Sequence, residues 1–496
     1  MARRPYLLAV KTVISAAFVL LLSASGCAKN PATGKPTLSL VSRSQEIQMG
    51  QQAVQEVKDS IGLVEDPALQ SYVDRVGHAL ASHSERPELP WYFAVVDDPS
   101  VNAFALPGGK VFATRGLLTH MTNEAQLAAV LGHEIGHVTA RHAVQRLSQQ
   151  ELIQLGLGVS MAVSDKAKLL APLANAALSV LFLKFSRNDE NQADMLGVRY
   201  AGRADYDVRQ MVDVFHMLDR VSQQSNAGRL PEWLATHPDP QNRIQHVEQL
   251  IPDALSHEHK PIVDRGGYLH HLEGVVFGED PRKGYVRDDH YYQPQLDFSL
   301  AVAQGWKTQD TPEAFIEVAP QQDGLVQLSA GPSLAPEQAL QSVAKSDGVQ
   351  LGRALPDLVP AMSSASAEIT LATQDQGELA GIITFIAYGG RTYQVLAVAP
   401  QGALADHLSE FQHVIGSFQR IEDPSLRNVQ PARINVIAVP ADMTLQALYT
   451  RQPASISLER LALLNQMQPA TTLKRGQLVK WVRGGTAQSE SAPVQE

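Results

Sequence analysis

Residues 123–140 are NEAQLAAVLGHEIGHVTA. Asn123-Glu-Ala-Gln126 has the form of a capping box and opens a helix. Leu127, Val130, Leu131 and Val138 follow at helical spacing and mark its apolar face. Glu134 lies seven residues after Leu127, on that same stripe. A carboxylate on a buried face is costly unless a charge compensates it. His133 and His137 stand at i and i+4, one turn apart on one helical face. Two imidazoles so placed can share one zinc ion, and the glutamate beside the first can reach a metal-bound water. Two surface histidines around a solvated glutamate would give the same five letters; the capped, apolar helix speaks against that.

Zinc in hydrolases takes a third protein ligand and keeps one position for water. A metzincin would carry Gly three and His six residues after His137; those positions hold Ala140 and Ala143, which excludes that class. His142 falls about 140° round an ideal helix from His137 and reads as a surface histidine. Further on, Ser186-Arg-Asn-Asp-Glu190-Asn-Gln-Ala-Asp194 reads as a polar helix start after an apolar segment. Glu190 and Asp194 share a face there. Glu190 can bind zinc while Asp194 orients a motif histidine through its second ring nitrogen. An ordinary acidic helix N-terminus, favoured by the helix dipole, explains the same residues.

His-Glu-Ile-Gly-His followed 53 residues later by Glu190 in a Glu-x-x-x-Asp setting resembles the HtpX, BepA and CAAX-prenyl-protease family of zinc peptidases. Other segments match in order: Asn30-Pro-Ala-Thr-Gly34 with Ser42-Arg-Ser-Gln-Glu46, Asn102-Ala-Phe-Ala-Leu-Pro-Gly-Gly109, and Thr236-His237-Pro-Asp-Pro-Gln-Asn-Arg243. The resemblance covers about residues 30 to 255 and is to the periplasmic lipoprotein branch. It implies a mainly α, zincin-like (gluzincin) protease domain with a small sheet. It also implies one Zn2+ per chain on His133, His137 and Glu190, with Glu134 as general base. The strand Asn102, Ala103, Phe104 and Ala105 would bind substrate by β-augmentation. His237 stands directly before Pro238, with Pro240 two residues further on, and these prolines rule out regular helix. It is expected either to fill the fourth zinc position as a gate or, with Arg243, to donate to the oxyanion; a surface histidine capping the next helix is the plain reading.

Working outward, the 496 residues are too many for one core. A net charge of −10 and the absence of a long basic run exclude a general nucleic-acid binder. Residues 1–26 have a positive n-region (Arg3, Arg4, Lys11), a short apolar core and small residues before Cys27, as a secretion signal does. The context of Cys27, the sole cysteine, resembles a lipobox, apart from Ala24 where leucine is usual. That implies cleavage, lipidation of Cys27 and a periplasmic protein anchored in the outer membrane. Loss of three positive charges and no negative one would take −10 to −13. Residues 27–45 read as a tether and 46–255 as the protease domain. Two apolar stretches, Leu152–Val163 and Leu169–Phe185, read as cover for the catalytic cleft, helices on the bilayer surface, or plain core.

Residues 266–422 alternate strands and short helices, and Leu296–Trp306 with Phe411–Phe418 resembles the PsbP/Mog1-like α/β fold, expected as an accessory domain. Residues 431–483 read strand, helix, helix, strand and resemble a LysM unit, which implies peptidoglycan binding; a small cap on the second domain fits equally. Residues 484–496 read as a disordered tail. The expected function is endopeptidase action on unfolded or misassembled envelope proteins. The rival is an envelope chaperone or peptidoglycan-binding lipoprotein with a structural or silent zinc site, which would have no use for Glu134.

Overall fold

The computed structural model describes residues 27–154, 184–224, 233, 236–237, 240–254, 260–311, 313–346, 348–356, 358–373 and 377–485. The expected signal segment 1–26, most of the two apolar stretches after Leu152 and the tail beyond residue 485 lie outside them. No helix among the described residues is long and apolar enough to cross a membrane. The chain forms two compact units. Glu279–Ala432 make one; the residues up to Gly278 together with Arg433–Arg483 make the other.

The first unit begins with a small hairpin, β1 (Cys27–Lys29) against β2 (Pro36–Leu38), where a tether is expected. Helices α1 (Arg43–Ser60) and α2 (Pro67–Ala81) follow, split near Gly62. Strands β3 (Tyr92–Val96), β4 (Ala103–Leu106) and β5 (Lys110–Thr114) form a sheet in the order β3-β5-β4. β3 runs parallel to β5, and β4 closes a hairpin on its other side as an edge strand. Then come α3 (Arg115–His120), α4 (Glu124–Ala140) and α5 (His142–Gln154). The helical part is completed by α6 (Arg187–Arg203), α7 (Gln210–Gln224), α8 (Pro240–Ala254) and α9 (Arg265–His271).

α4 is the axle of this unit. Asn123 caps it by accepting from the Gln126 N–H at 2.9 Å, as the sequence predicts. The reciprocal bond of a capping box is displaced: Gln126 Oε1 accepts from the N–H of Thr122 instead, at 2.7 Å. All seventeen residues of α4 are buried, so the expected one-sided apolar stripe is in fact a helix packed on every face. Its approach to α6 is backbone against backbone. A Cβ on Gly197 would lie 2.8 Å from the His133 nitrogen, and one on Gly136 would lie 2.9 Å from the Ala193 carbonyl oxygen. Glycine at both positions lets the Glu190 helix reach the histidine helix.

Both ends of α4 are gripped by distant chain. At its C-terminus, Asn30 donates to the Ala140 carbonyl at 3.2 Å, which explains why residues 27–42 are folded rather than a free tether. Arg86 donates to the Val138 carbonyl and pairs with Glu46, itself buried at 1% exposure. Arg141 bonds the same Glu46 and the Val41 carbonyl. At the N-terminal end, Gln466 bonds Gln126, and the buried Lys480 donates to the Thr119 and Met121 carbonyls at 2.5 and 2.6 Å. Burial pushes the Lys480 ammonium well below its ordinary pKa. Residues 431–483 thus pack on the first unit, not as a cap on the second.

The second unit holds β6 (Tyr285–Arg287), β7 (His290–Gln293), β8 (Phe298–Ala301), β9 (Lys307–Asp310), β10 (Ala314–Val318) and β11 (Leu325–Ala330). Helix α10 (Pro336–Val343) precedes β12 (Val349–Leu355), β13 (Ser364–Thr373), β14 (Gly377–Tyr388) and β15 (Arg391–Pro400). Helix α11 (Leu404–Gly416), β16 (Gln419–Arg420) and α12 (Pro424–Arg427) end it. Seven strands run β12-β13-β14-β15-β11-β10-β9, and a second sheet runs β16-β8-β7-β6. Paired strands here are antiparallel, so the expected alternating α/β domain is a sheet-rich α+β one. β13 ends at Thr373 and β14 starts at Gly377, while β14 ends at Tyr388 and β15 starts at Arg391, which leaves too few residues for the crossover helices that parallel pairing demands. Phe298, Phe411, Val414, Ile415 and Phe418 anchor its core.

The C-terminal segment has the expected order of elements. β17 (Ala432–Ala438) pairs with β20 (Leu478–Gly484), and β18 (Met443–Thr444) pairs with β19 (Thr472–Leu473). Between them lie α13 (Leu445–Arg451) and α14 (Leu458–Leu464).

Candidate metal centre

Four side chains from three segments converge. His133 and His137 come from the middle of α4, Glu190 from the first turn of α6, and His237 from the residues just before α8. One ligand atom of each lies within 4.8 Å of all the others, and all four residues are buried. His133 Nε2 is 3.1 Å from His137 Nε2 and 3.4 Å from His237 Nδ1. Glu190 Oε1 is 3.1 Å from His237 Nδ1 and 3.6 Å from His137 Nε2; its Oε2 is 3.6 Å from His133 Nε2.

These spacings are a test of fit. Ligand atoms about 2.0–2.1 Å from one tetrahedral ion stand roughly 3.3–3.4 Å apart, which falls among the 3.1–3.6 Å distances just given, in a group bounded by 4.8 Å. Three imidazoles and a carboxylate are also donors of the kind zinc prefers. His133 Nδ1 faces the Asp194 carboxylate at 2.9 Å, so it carries the ring hydrogen and leaves Nε2 with a bare lone pair. The group fits a bound zinc ion.

Glu134 is buried beside the cluster. Its Oε1 lies 3.7 Å from His237 Nε2 and has no hydrogen-bond partner. An unpaired carboxylate oxygen sealed from solvent is the position from which a proton can be accepted.

Asp194 and Arg243 stand behind the ligands. The Arg243 guanidinium takes Asp194 in a fork, Nη2 to Oδ1 at 2.6 Å and Nε to Oδ2 at 2.8 Å, and meets Glu190 Oε2 through Nη1 at 2.9 Å. Its plane lies over Phe215 and Trp233, 4.6 and 4.7 Å from the ring centroids. This leaves Arg243 committed to two carboxylates, rather than free for the oxyanion role considered from the sequence. Burial works to raise the pKa of Asp194 and Glu190, but the neighbouring Arg243 and histidines outweigh it and hold both below their ordinary values. For His237, burial disfavours the charged ring, yet Glu190 and Glu134 prevail and raise its pKa. His137 is pushed well down, by burial first and then by His133, His142 and His237.

Of the residues singled out from sequence, His133, Glu134, His137, Glu190, Asp194, His237 and Arg243 are brought together. His237 is 2% exposed and stacks on Trp233, so it is not the surface cap of α8. Asn102, Ala103, Phe104 and Ala105 lie on or next to the edge strand β4, which packs against α4. His142 needs a correction. It is 2% exposed and its Nδ1 lies 3.0 Å from that of His137. The helical-wheel projection fails because α4 stops at Ala140, where Arg141 turns left-handed at φ 61. Trp233 and Phe185 have rings that flank His237; Trp233 carries no signal in the sequence, whereas Phe185 ends the apolar stretch that reads as cover for the cleft.

Residues 67–251 match the model of peptidase family M48. The chain is 31% identical over 224 residues to the beta-barrel assembly-enhancing protease of Escherichia coli (strain K12), covering 43% of this chain and 45% of that one. It is 35% identical over 191 residues to the mitochondrial metalloendopeptidase OMA1 of Bos taurus, covering 36% of each. The chain therefore spans less than half the length of these curated relatives. Among solved structures, the cyanobacterial PsbP of Synechocystis sp. PCC 6803 aligns with a TM-score of 0.22 and 15% identity, over 27% of this chain and 91% of that one. With the helix pair, the histidine cluster and the matched segments in hand, residues 67–251 are a peptidase family M48 domain.

Proposed function

We propose that the chain is a zinc-dependent metalloendopeptidase of the bacterial cell envelope that hydrolyses peptide bonds in unfolded or misassembled envelope proteins. The observation that carries this reading is the convergence of His133, His137, Glu190 and His237 with the unpartnered Glu134 oxygen beside them. His133, His137 and Glu190 would hold one zinc ion. Bound there, zinc would polarise the scissile carbonyl and acidify the attacking water. Glu134 takes the proton from that water and delivers it to the leaving amine nitrogen. Asp194 keeps His133 in the tautomer that presents Nε2, and Arg243 holds Asp194 and Glu190 in place. The edge strand with Asn102, Ala103, Phe104 and Ala105 would take substrate as an added strand, a geometry that suits extended rather than folded chains.

His237 is read as a fourth ligand that restrains the enzyme at rest, because its Nδ1 shares the contact point of the other three. His237→Ala should then raise basal proteolysis, seen as faster casein cleavage or self-cleavage. A loss of turnover on the order of a hundredfold with zinc retained would instead support the oxyanion role.

The name of the Escherichia coli relative, a protease that enhances β-barrel assembly, supports the envelope setting. Lipidation of Cys27, an outer-membrane anchor, peptidoglycan binding by residues 431–483 and a PsbP/Mog1-like accessory role for 266–422 belong to the same proposal. Zinc content and casein hydrolysis of wild type and Glu134→Gln test the central claim. Both should carry one zinc per chain and only the wild type should cleave; a variant cleaving at the wild-type rate overturns the mechanism and favours a silent site.

A further inference from the structure

The turn after α4 brings in a residue that the mechanism above does not use. Arg141, at φ 61 and ψ 34, ends the helix, and His142 starts the next one. The reversal is held in place, since Arg141 bonds Glu46 and the Val41 carbonyl. It lays the His142 ring against that of His137, centroids 4.9 Å apart and planes at 77°.

The hydrogen placement in this contact follows from the far side. His142 Nε2 lies 3.0 Å from Gln192 Oε1 and 3.8 Å from Asp189 Oδ1. Both oxygens only accept, so Nε2 carries the hydrogen of the neutral ring and Nδ1 is left with its lone pair. The 3.0 Å contact between the two Nδ1 atoms is then a hydrogen bond only if His137 donates. A His137 that donates from Nδ1 has a bare Nε2, and Nε2 is the atom that faces His133, Glu190 and the centre of the cluster.

We propose that His142 is a positioning residue for the metal site. With Gln192 and Asp189 behind it, it fixes His137 as the Nδ1–H tautomer and aims the Nε2 lone pair at the ion. It does for His137 what Asp194 does for His133, with a neutral acceptor in place of a charged one. The inference rests on the zinc reading of the preceding section.

The test uses the full chain as wild type, His142→Leu, His142→Gln and Gln192→Leu. Zinc affinity is measured by competition with a chelating dye, the ligand field by the visible spectrum of the cobalt-substituted protein, and packing by the melting temperature of the zinc-free form. His142→Leu should weaken zinc binding ten- to hundredfold, the usual range for loss of a partner behind a metal-bound histidine, and alter the cobalt bands. His142→Gln should recover most of the affinity, because its carbonyl oxygen can accept from His137. Gln192→Leu, which also covers the case of a leucine variant that fails to fold, should weaken binding less. Nitrogen-15 NMR of the zinc-free protein should find His137 protonated at Nδ1 in wild type and in mixed tautomers in His142→Leu. Unchanged zinc affinity and tautomer in His142→Leu overturn the proposal. Equal losses in the Leu and Gln variants that track a falling melting temperature overturn it too, in favour of packing alone. A wild type that takes up no zinc overturns the zinc reading itself, and the tautomer measurement then still decides whether His142 sets His137.

Discussion

Glu190 and Asp194 in the first unit and Glu317 in the second are all sealed from solvent, at 1%, 0% and 0% exposure, yet their carboxyls shift in opposite directions. Burial raises the pKa of each. Around Glu190 and Asp194 the Arg243 guanidinium and the histidines reverse that effect, so both stay charged. Glu317 on β10 has only the Ala303 N–H at 2.9 Å for one oxygen and nothing for the other, and burial pushes it up to about 7. A buried carboxylate remains an anion where the fold supplies cations, and a carboxylate that is to bind a metal ion must remain an anion. The same residue type in the second unit lacks that support, which is a physical reason to look for metal chemistry in the first unit.

Removing Arg243 should have the largest effect on the first unit. Arg243→Met leaves two buried carboxylates without their cation, which should cost about 3–5 kcal/mol in the zinc-free protein. Urea unfolding of chelator-treated protein, followed through Trp233 and its neighbours, measures it. A cost below about 1 kcal/mol would mean that the histidines alone hold the anions.

Glu317→Gln probes the opposite case. Its folded pKa is raised, so between about 4.5 and about 7 the folded protein holds a proton that the unfolded chain has lost. Stability therefore falls as pH rises through that window and stays low above it. The glutamine variant should lose this slope, gaining up to about 3 kcal/mol at pH 8 and little at pH 4. Parallel melting-temperature profiles of variant and wild type across that range would show that Glu317 is not the source.

The smallest effect sharpens the boundary. Glu368 pairs with Arg353 at 2.8 Å, but both side chains are well exposed, at 47% and 77%. Glu368→Gln should change stability by less than about 0.5 kcal/mol, and that small change should fade as salt is added. A larger change would show that the cation beside a carboxylate matters even in water.

Most of the metal centre was legible because its spacing is local. His133 and His137, and separately Glu190 and Asp194, are i and i+4 pairs whose shared faces follow from helix geometry. Glycines 136 and 197, which let the two helices touch, gave no signal by themselves. The placement of His237 depends on a contact 104 residues away in sequence, and the prolines that follow it indicate only that the backbone there is stiff. A helical wheel misplaces His142 because it extends a helix without limit, whereas one left-handed residue, Arg141, ends this one. In residues 27–45, Pro, Gly and Thr suggested slack chain; composition could not reveal that Asn30 finds a carbonyl 110 residues on. In the second unit the strands were legible and their direction was not, since turn length rather than strand composition sets it.

Lys480 reaches Thr119 across 361 residues of sequence, with the whole second unit lying between them in the chain. Such a contact carries a heavy loop-closure cost and belongs among the late events of folding. During synthesis, the segment that steadies the start of the histidine helix emerges only after Glu279–Ala432 have been made. The first unit is therefore completed by a segment that follows the second unit in the chain, so its two parts meet only once the intervening residues exist.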